Sequence, residues 1–95
     1  MAEYQIVYWK AAPVMVTARN GRSERVSLEL PPRFQAAVDE AAMRLGLSGS
    51  DAYLDGWNRS EWIVRPGSAE TVAQAVAAEL DAEYDAERLR TLLVG

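Results

Sequence analysis

The chain of 95 residues contains no cysteine and no histidine, and those two absences do more to limit its chemistry than any residue it has. Without cysteine there is no disulfide framework, no thiol nucleophile and no thiolate metal site. Without histidine the commonest general base and the commonest zinc ligand are also missing. Most enzyme classes are thereby removed, leaving chemistry by carboxylates, tyrosines, arginines and the single lysine, Lys10, or no chemistry at all. No apolar run approaches the roughly 20 residues of a membrane span. The start, MAEYQIVYWK, has neither a basic leader nor a small-residue cleavage site, so a cytoplasmic location is expected.

What is present is the balance of an ordinary globular domain: 49% apolar residues, 25% charged, and length for one core. A single domain over 1–95 is expected. The net charge of −4 is uneven. Up to Arg33, five bases outnumber three acids, whereas from Phe34 onward eleven acids face five bases. An acidic whole argues against non-specific nucleic-acid binding, which needs a dense basic surface.

The stretch from Arg25 to Leu47 organises the chain. In RVSLELPP, Val26, Leu28 and Leu30 alternate with Arg25, Ser27 and Glu29, the period-2 pattern of a strand with one buried face. Pro31 and Pro32 end it, and proline fits the first turn of a helix. Phe34, Ala37, Val38, Ala41, Ala42 and Leu45 then form one apolar helical stripe, and Gly46 offers a left-handed stop.

Upstream, YQIVYW is apolar on both alternating faces, which predicts a central strand. PVMVTAR predicts a second, and Asn20-Gly21 a hairpin to the third. A two-residue loop would set Val14, Val16 and Ala18 on the face of Ser23, Arg25 and Ser27 and split the core. An odd-length loop with Gly21 left-handed keeps the β-branched side chains together, pairing Val16 with Val26 and Val14 with Leu28.

Downstream, Ser50 is an expected cap for a short helix that stops at Gly56. A last strand is expected around Glu61–Arg65, ended by Pro66-Gly67. Ser68 caps the next helix, with Glu70 in its first turn and Val72, Ala73, Val76 and Leu80 as its stripe. Asp85 starts a final helical segment in which Leu89, Leu92 and Leu93 pack down. The sum is an α+β domain: an antiparallel sheet of about four strands with two to three helices packed on one face.

Three constellations stand out. The aromatics Trp9, Trp57, Trp62, Tyr4, Tyr8, Tyr53 and Tyr84 mainly fill a small core, with Trp9, beside Lys10, the first candidate for exposure. Arg19, Arg22 and Arg25 gather at the hairpin. Arg19 and Arg25 project with Thr17 from the face opposite the helices, where they would receive a carboxylate or phosphate if they do more than guard an edge. Trp57, Arg59, Glu61 and Trp62 form an alternative pocket for a ligand or for acid–base work. The acidic run Glu79, Asp81, Glu83, Asp85 and Glu87 lacks the glycine and spacing of a calcium loop and reads as a solvated helix end. Asp51, Asp55 and Glu61 select no carboxylate-pair geometry, and no phosphate-loop motif exists.

Taken together, YQIVYW, the ARNGR turn, VSLELPPRFQAAVDEAAM, SDAYLDGW and EWIVRPGSAETVAQAVAAEL resemble the small bacterial "virulence factor" domain family. That family occurs as stand-alone chains of this length and as a module in larger conserved virulence factor proteins. The resemblance carries no catalytic residues with it. It does imply an accessory role in one-carbon metabolism, because stand-alone members are encoded near corrinoid- and folate-dependent methyl-transfer enzymes. The expectation is a non-catalytic cytoplasmic module that binds a protein partner through Trp9, Lys10, Thr17, Arg19, Arg22 and Arg25, with no bound metal and no cofactor. A small ligand-binding domain or enzyme at Trp57, Arg59, Glu61 and Trp62 is the alternative.

Overall fold

Strand β1 (Ala2–Trp9) is paired along both of its edges, the central position expected of it. The computed structural model describes residues 1–47 and 51–94, so the expected cap at Ser50 lies outside the described residues. β2 (Ala12–Asn20) and β3 (Glu24–Glu29) continue the sheet on one side of β1, all antiparallel. On the other side β4 (Trp57–Arg59) pairs with Val7–Trp9 and β5 (Ile63–Arg65) with Ala2–Tyr4. Helices α1 (Pro32–Arg44), α3 (Ala69–Glu83) and α4 (Ala86–Val94) cover one face of the sheet, and α2 (Asp51–Asp55) is a short turn beside β4. The architecture is the expected α+β one, with the edge strand divided in two.

The hairpin loop is Gly21, Arg22 and Ser23, of odd length, with Gly21 left-handed at φ +65°. Its register differs from the expected pairing: Val16 faces Leu28 and Ala18 faces Val26. The ladder runs on to Asn20–Glu24, so the turn is centred one residue later than expected and each β2 residue meets a β3 partner two residues further on. A shift of two preserves the face, and Val16 and Ala18 still join the core with Val26 and Leu28 packed against it.

The division of the last strand is a bulge. Between β4 and β5 the chain has one more residue than β1 opposite, because Val7 pairs with Arg59 while Tyr4 pairs with Ile63. Ser60 absorbs the irregularity by meeting both backbone groups of Ile6. Its amide donates to the Ile6 carbonyl at 2.9 Å, and its hydroxyl accepts from the Ile6 amide at 2.9 Å. Gln5 Nε2 adds a bond to the Ser60 carbonyl at 3.0 Å. Of the strand expected over Glu61–Arg65 only Ile63–Arg65 pairs, and a second piece, Trp57–Arg59, forms ahead of the bulge.

Helix ends are closed by the residues expected and by some from afar. Pro31 and Pro32 start α1, and Gly46 at φ +71° stops it, with the Leu47 amide reaching the Ala42 carbonyl at 2.8 Å. Leu45, expected to finish the buried stripe, is 45% exposed because the helix has already turned away at its C-cap. Ser68 Oγ accepts from the Thr71 amide at 3.1 Å, and Glu24 from β3 accepts from the Ala69 amide at 2.9 Å, so two oxygens satisfy the start of α3. Asp85 Oδ1 accepts from the Arg88 amide at 2.7 Å to begin α4. Leu89 and Leu93 of α4 are buried, but Leu92 is 42% exposed, since consecutive helical positions cannot all face the core.

Trp9 is where the structure departs furthest from expectation. It is fully buried, at 0% exposure. Alternation from Ile6 turns its side chain to the face opposite the three long helices, where α2 covers it. The indole N–H donates to the Tyr53 carbonyl at 2.9 Å, and the two rings lie 5.7 Å apart. Removing that much aromatic surface from water stabilises the fold by about 4–6 kcal/mol. A Cβ built on Gly56 would lie 2.6 Å from Trp9 Nε1, so only glycine lets the chain pass. The Gly56 carbonyl in turn accepts from the Lys10 amide at 2.7 Å, fixing Lys10 in a left-handed turn at φ +51°.

Gly56→Ala is therefore expected to destabilise the domain by about 1–3 kcal/mol through overpacking, and Trp9→Ala by about 3–5 kcal/mol through the void it leaves. Urea unfolding followed by far-UV circular dichroism measures both, and unchanged midpoints would contradict the burial described.

Candidate binding site

The face of the sheet turned away from α1, α3 and α4 carries most of the candidate residues. It is formed by Glu3, Gln5 and Val7 from β1, Met15, Thr17 and Arg19 from β2, and Arg25, Ser27 and Glu29 from β3, which the register sets in rows. Thr17 is buried there, with its hydroxyl 3.3 Å from that of Ser27.

Arg19 is already engaged. Its guanidinium lies 3.8 Å from the Trp62 ring centroid, and its Nε reaches Glu3 Oε1 at 3.4 Å. Trp62 comes from the bulged segment between β4 and β5, so the irregular edge folds an aromatic back over the sheet. Arg25, directly opposite Arg19, and Arg22 in the loop are exposed, and among the described residues neither forms an ion pair. Lys10 is exposed with its Nζ 5.5 Å from the Trp9 ring centroid. The six residues expected to form one interface are therefore not presented together: Trp9 is internal, Thr17 is covered, and Arg19 is engaged by Trp62 and Glu3.

Nor do the four residues of the alternative pocket converge. Trp62 stacks on Arg19, Arg59 and Glu61 point to solvent, and Trp57 lines a cavity that none of these three enters.

That cavity is a groove of about 920 Å³ between the far end of the open sheet face and the flank of α1. Its walls are Val7, Val14, Met15 and Trp57 on one side and Leu30, Pro31, Pro32 and Ala36 on the other, with Glu29, Gln35 and Asp39 as polar members. Trp57 is held upright by Tyr53, whose ring meets it edge-on at 6.2 Å. The two prolines turn the chain from β3 into α1 and leave no amide to solvate along that wall. Sequence reading missed the groove because its residues come from distant elements and are chemically plain. The Pro31-Pro32 pair and an unbranched Met15 among β-formers were its faint marks.

The profile of the family described as Virulence factor matches residues 7–93, nearly the whole chain. The chain belongs to that family. No curated protein and no solved structure matches it significantly. Among the described residues of this virulence-factor domain, no helix is long and apolar enough to cross a membrane.

The family match takes in the acidic run, whose members do more than face water. Arg65 of β5 holds Glu79 with two bonds, at 3.1 and 2.6 Å. Arg33, at the start of α1, donates to the Asp81 carboxylate and carbonyl and to the Tyr84 carbonyl, closing the C-terminal end of α3. Arg88 reaches Glu83 at 3.6 Å. The hydrogen bond from Arg65 lowers the Glu79 pKa below the usual carboxylate range, and the same bond raises that of Arg65. Behind them, burial pushes the Tyr8 phenol upward, helped by Tyr84, Tyr4 and Glu83.

A carboxyl with a depressed pKa stabilises the folded state above the pKa of the unfolded chain, and that contribution is lost as the pH falls through the folded value. Glu79→Gln is accordingly expected to lower the melting temperature at neutral pH by a degree or so. The difference from wild type should close in acid, below the ordinary carboxylate range. A gap that persists unchanged in acid would show that the Arg65–Glu79 pair is not its source.

Proposed function

We propose that this virulence-factor domain is a non-catalytic, cytoplasmic binding module that seats an apolar segment of a protein partner in the groove beside α1. The observation that carries the reading is the groove itself: its walls are apolar, it is anchored by Trp57, and its polar members include two carboxylates. Apolar walls supply contact area, and Glu29 and Asp39 favour a segment with a basic residue next to its apolar side chains. A catalytic pocket would instead need convergent polar groups, and the groove offers no nucleophile beside a base.

The family resemblance to chains encoded near methyl-transfer enzymes makes a corrinoid- or folate-dependent methyltransferase of the same organism the partner to test first. Ala36 is exposed on α1 and lines the groove, so Ala36→Arg fills it without touching the core. Titration calorimetry between the purified methyltransferase and the domain is expected to show binding that Ala36→Arg weakens by about tenfold or more. Arg59→Ala, outside the groove, should leave it unchanged. Equal affinity for wild type and Ala36→Arg would remove the groove from the interaction, and no binding by wild type would remove this partner class.

A further inference from the structure

The sheet has two edges, and they are built differently. The β4–β5 edge is interrupted by the Ser60 bulge into pieces of three residues, which prevents it from templating another strand. The β3 edge is six residues long, contains no proline, and pairs with β2 without any irregularity. The Leu30 amide donates to the Val14 carbonyl at 3.1 Å, which identifies that pair as hydrogen-bonded. In an antiparallel ladder the bonded and non-bonded pairs alternate. The pairs of Glu29, Ser27 and Arg25 with Met15, Thr17 and Arg19 are then the non-bonded ones, and the amides and carbonyls of those three residues point outward along the free edge.

We infer that this edge pairs with the β3 edge of a second copy of the same chain, antiparallel about a two-fold axis through Ser27. In that register each outward group finds a partner, because Arg25 lies opposite Glu29 and Ser27 opposite itself, all in bonded positions. The charges then complement one another twice, Arg25 against Glu29 on either side of the axis. On the helix face Val26 meets Leu28 of the other copy, and both are only partly buried in the single chain. The spacing Arg-x-Ser-x-Glu is thus self-complementary, as an isologous interface requires. Arg25 needs such a counter-charge, since its neighbour across β2 is Arg19, whose own charge is spent on Glu3 and Trp62.

Charge swapping tests the register. Arg25→Glu places a glutamate opposite Arg19 within the chain and so leaves the monomer soundly folded, but sets Glu against Glu across the axis. Glu29→Arg does the converse. Sedimentation equilibrium up to about 1 mM should give wild type at twice the 10.5 kDa chain mass, and each variant alone about tenfold weaker or worse. An equimolar mixture of the two variants should dimerise again, since each then meets its opposite. Ser27→Pro removes an outward amide that the chain itself does not use, and is expected to be monomeric. Amide exchange at Arg25, Ser27 and Glu29 should slow as wild-type concentration rises. A wild type that stays monomeric throughout, or a dimer indifferent to Arg25→Glu and Ser27→Pro, would overturn the inference.

Discussion

The burial of the Trp9 indole beneath α2 is the contact on which the rest of the structure depends. It joins the first strand to a segment more than forty residues later through one hydrogen bond, one ring contact and one glycine that has no room for a side chain. With Gly56 fixed against the indole, its carbonyl meets the Lys10 amide and β4 enters the sheet in a single register. The bulge at Ser60, the placement of Trp62 over Arg19 and the position of Trp57 at the groove wall all follow from where that strand begins.

Local features were legible in the sequence because their causes are local. The alternation in RVSLEL, the helical stripe after Pro32, the left-handed Gly21 and Gly46, and the caps Ser68 and Asp85 each rest on residues within a turn or two of one another. The hairpin's face was readable and its exact pairing was not, since parity is dictated by burial whereas a shift of two residues costs no change of face. Trp9 was misjudged because nothing near it marks the helix that covers it. The bulge was hidden for a similar reason: a serine hydroxyl standing in for a ladder bond leaves no pattern in the residues around it.

The candidate site was the least legible part. Arg19 belongs by charge to an open surface, yet Glu3 pairs with it from the neighbouring strand and Trp62 stacks on it from the far edge. The acidic run looked like solvated surface, and the structure uses it to fasten α3 to β5 and α1 through Arg65 and Arg33. The groove is assembled from chemically plain residues of distant elements, so its shape was not legible. The virulence factor family match, over residues 7–93, takes in the groove, the bulge and the acidic run together.

The placement of β1 between partners from both halves of the sequence has a consequence for how the chain is made. During synthesis β1, β2 and β3 can pair as soon as Glu29 has left the ribosome, but the other edge of β1 stays bare until Trp57–Arg65 follow. For that interval YQIVYW presents an aromatic, β-prone edge with no cover, the kind of surface that seeds misassembly in nascent chains. Cover for that edge arrives only with residues 57–65, so the interval between the two halves of the sheet is when the nascent chain is most open to mispairing.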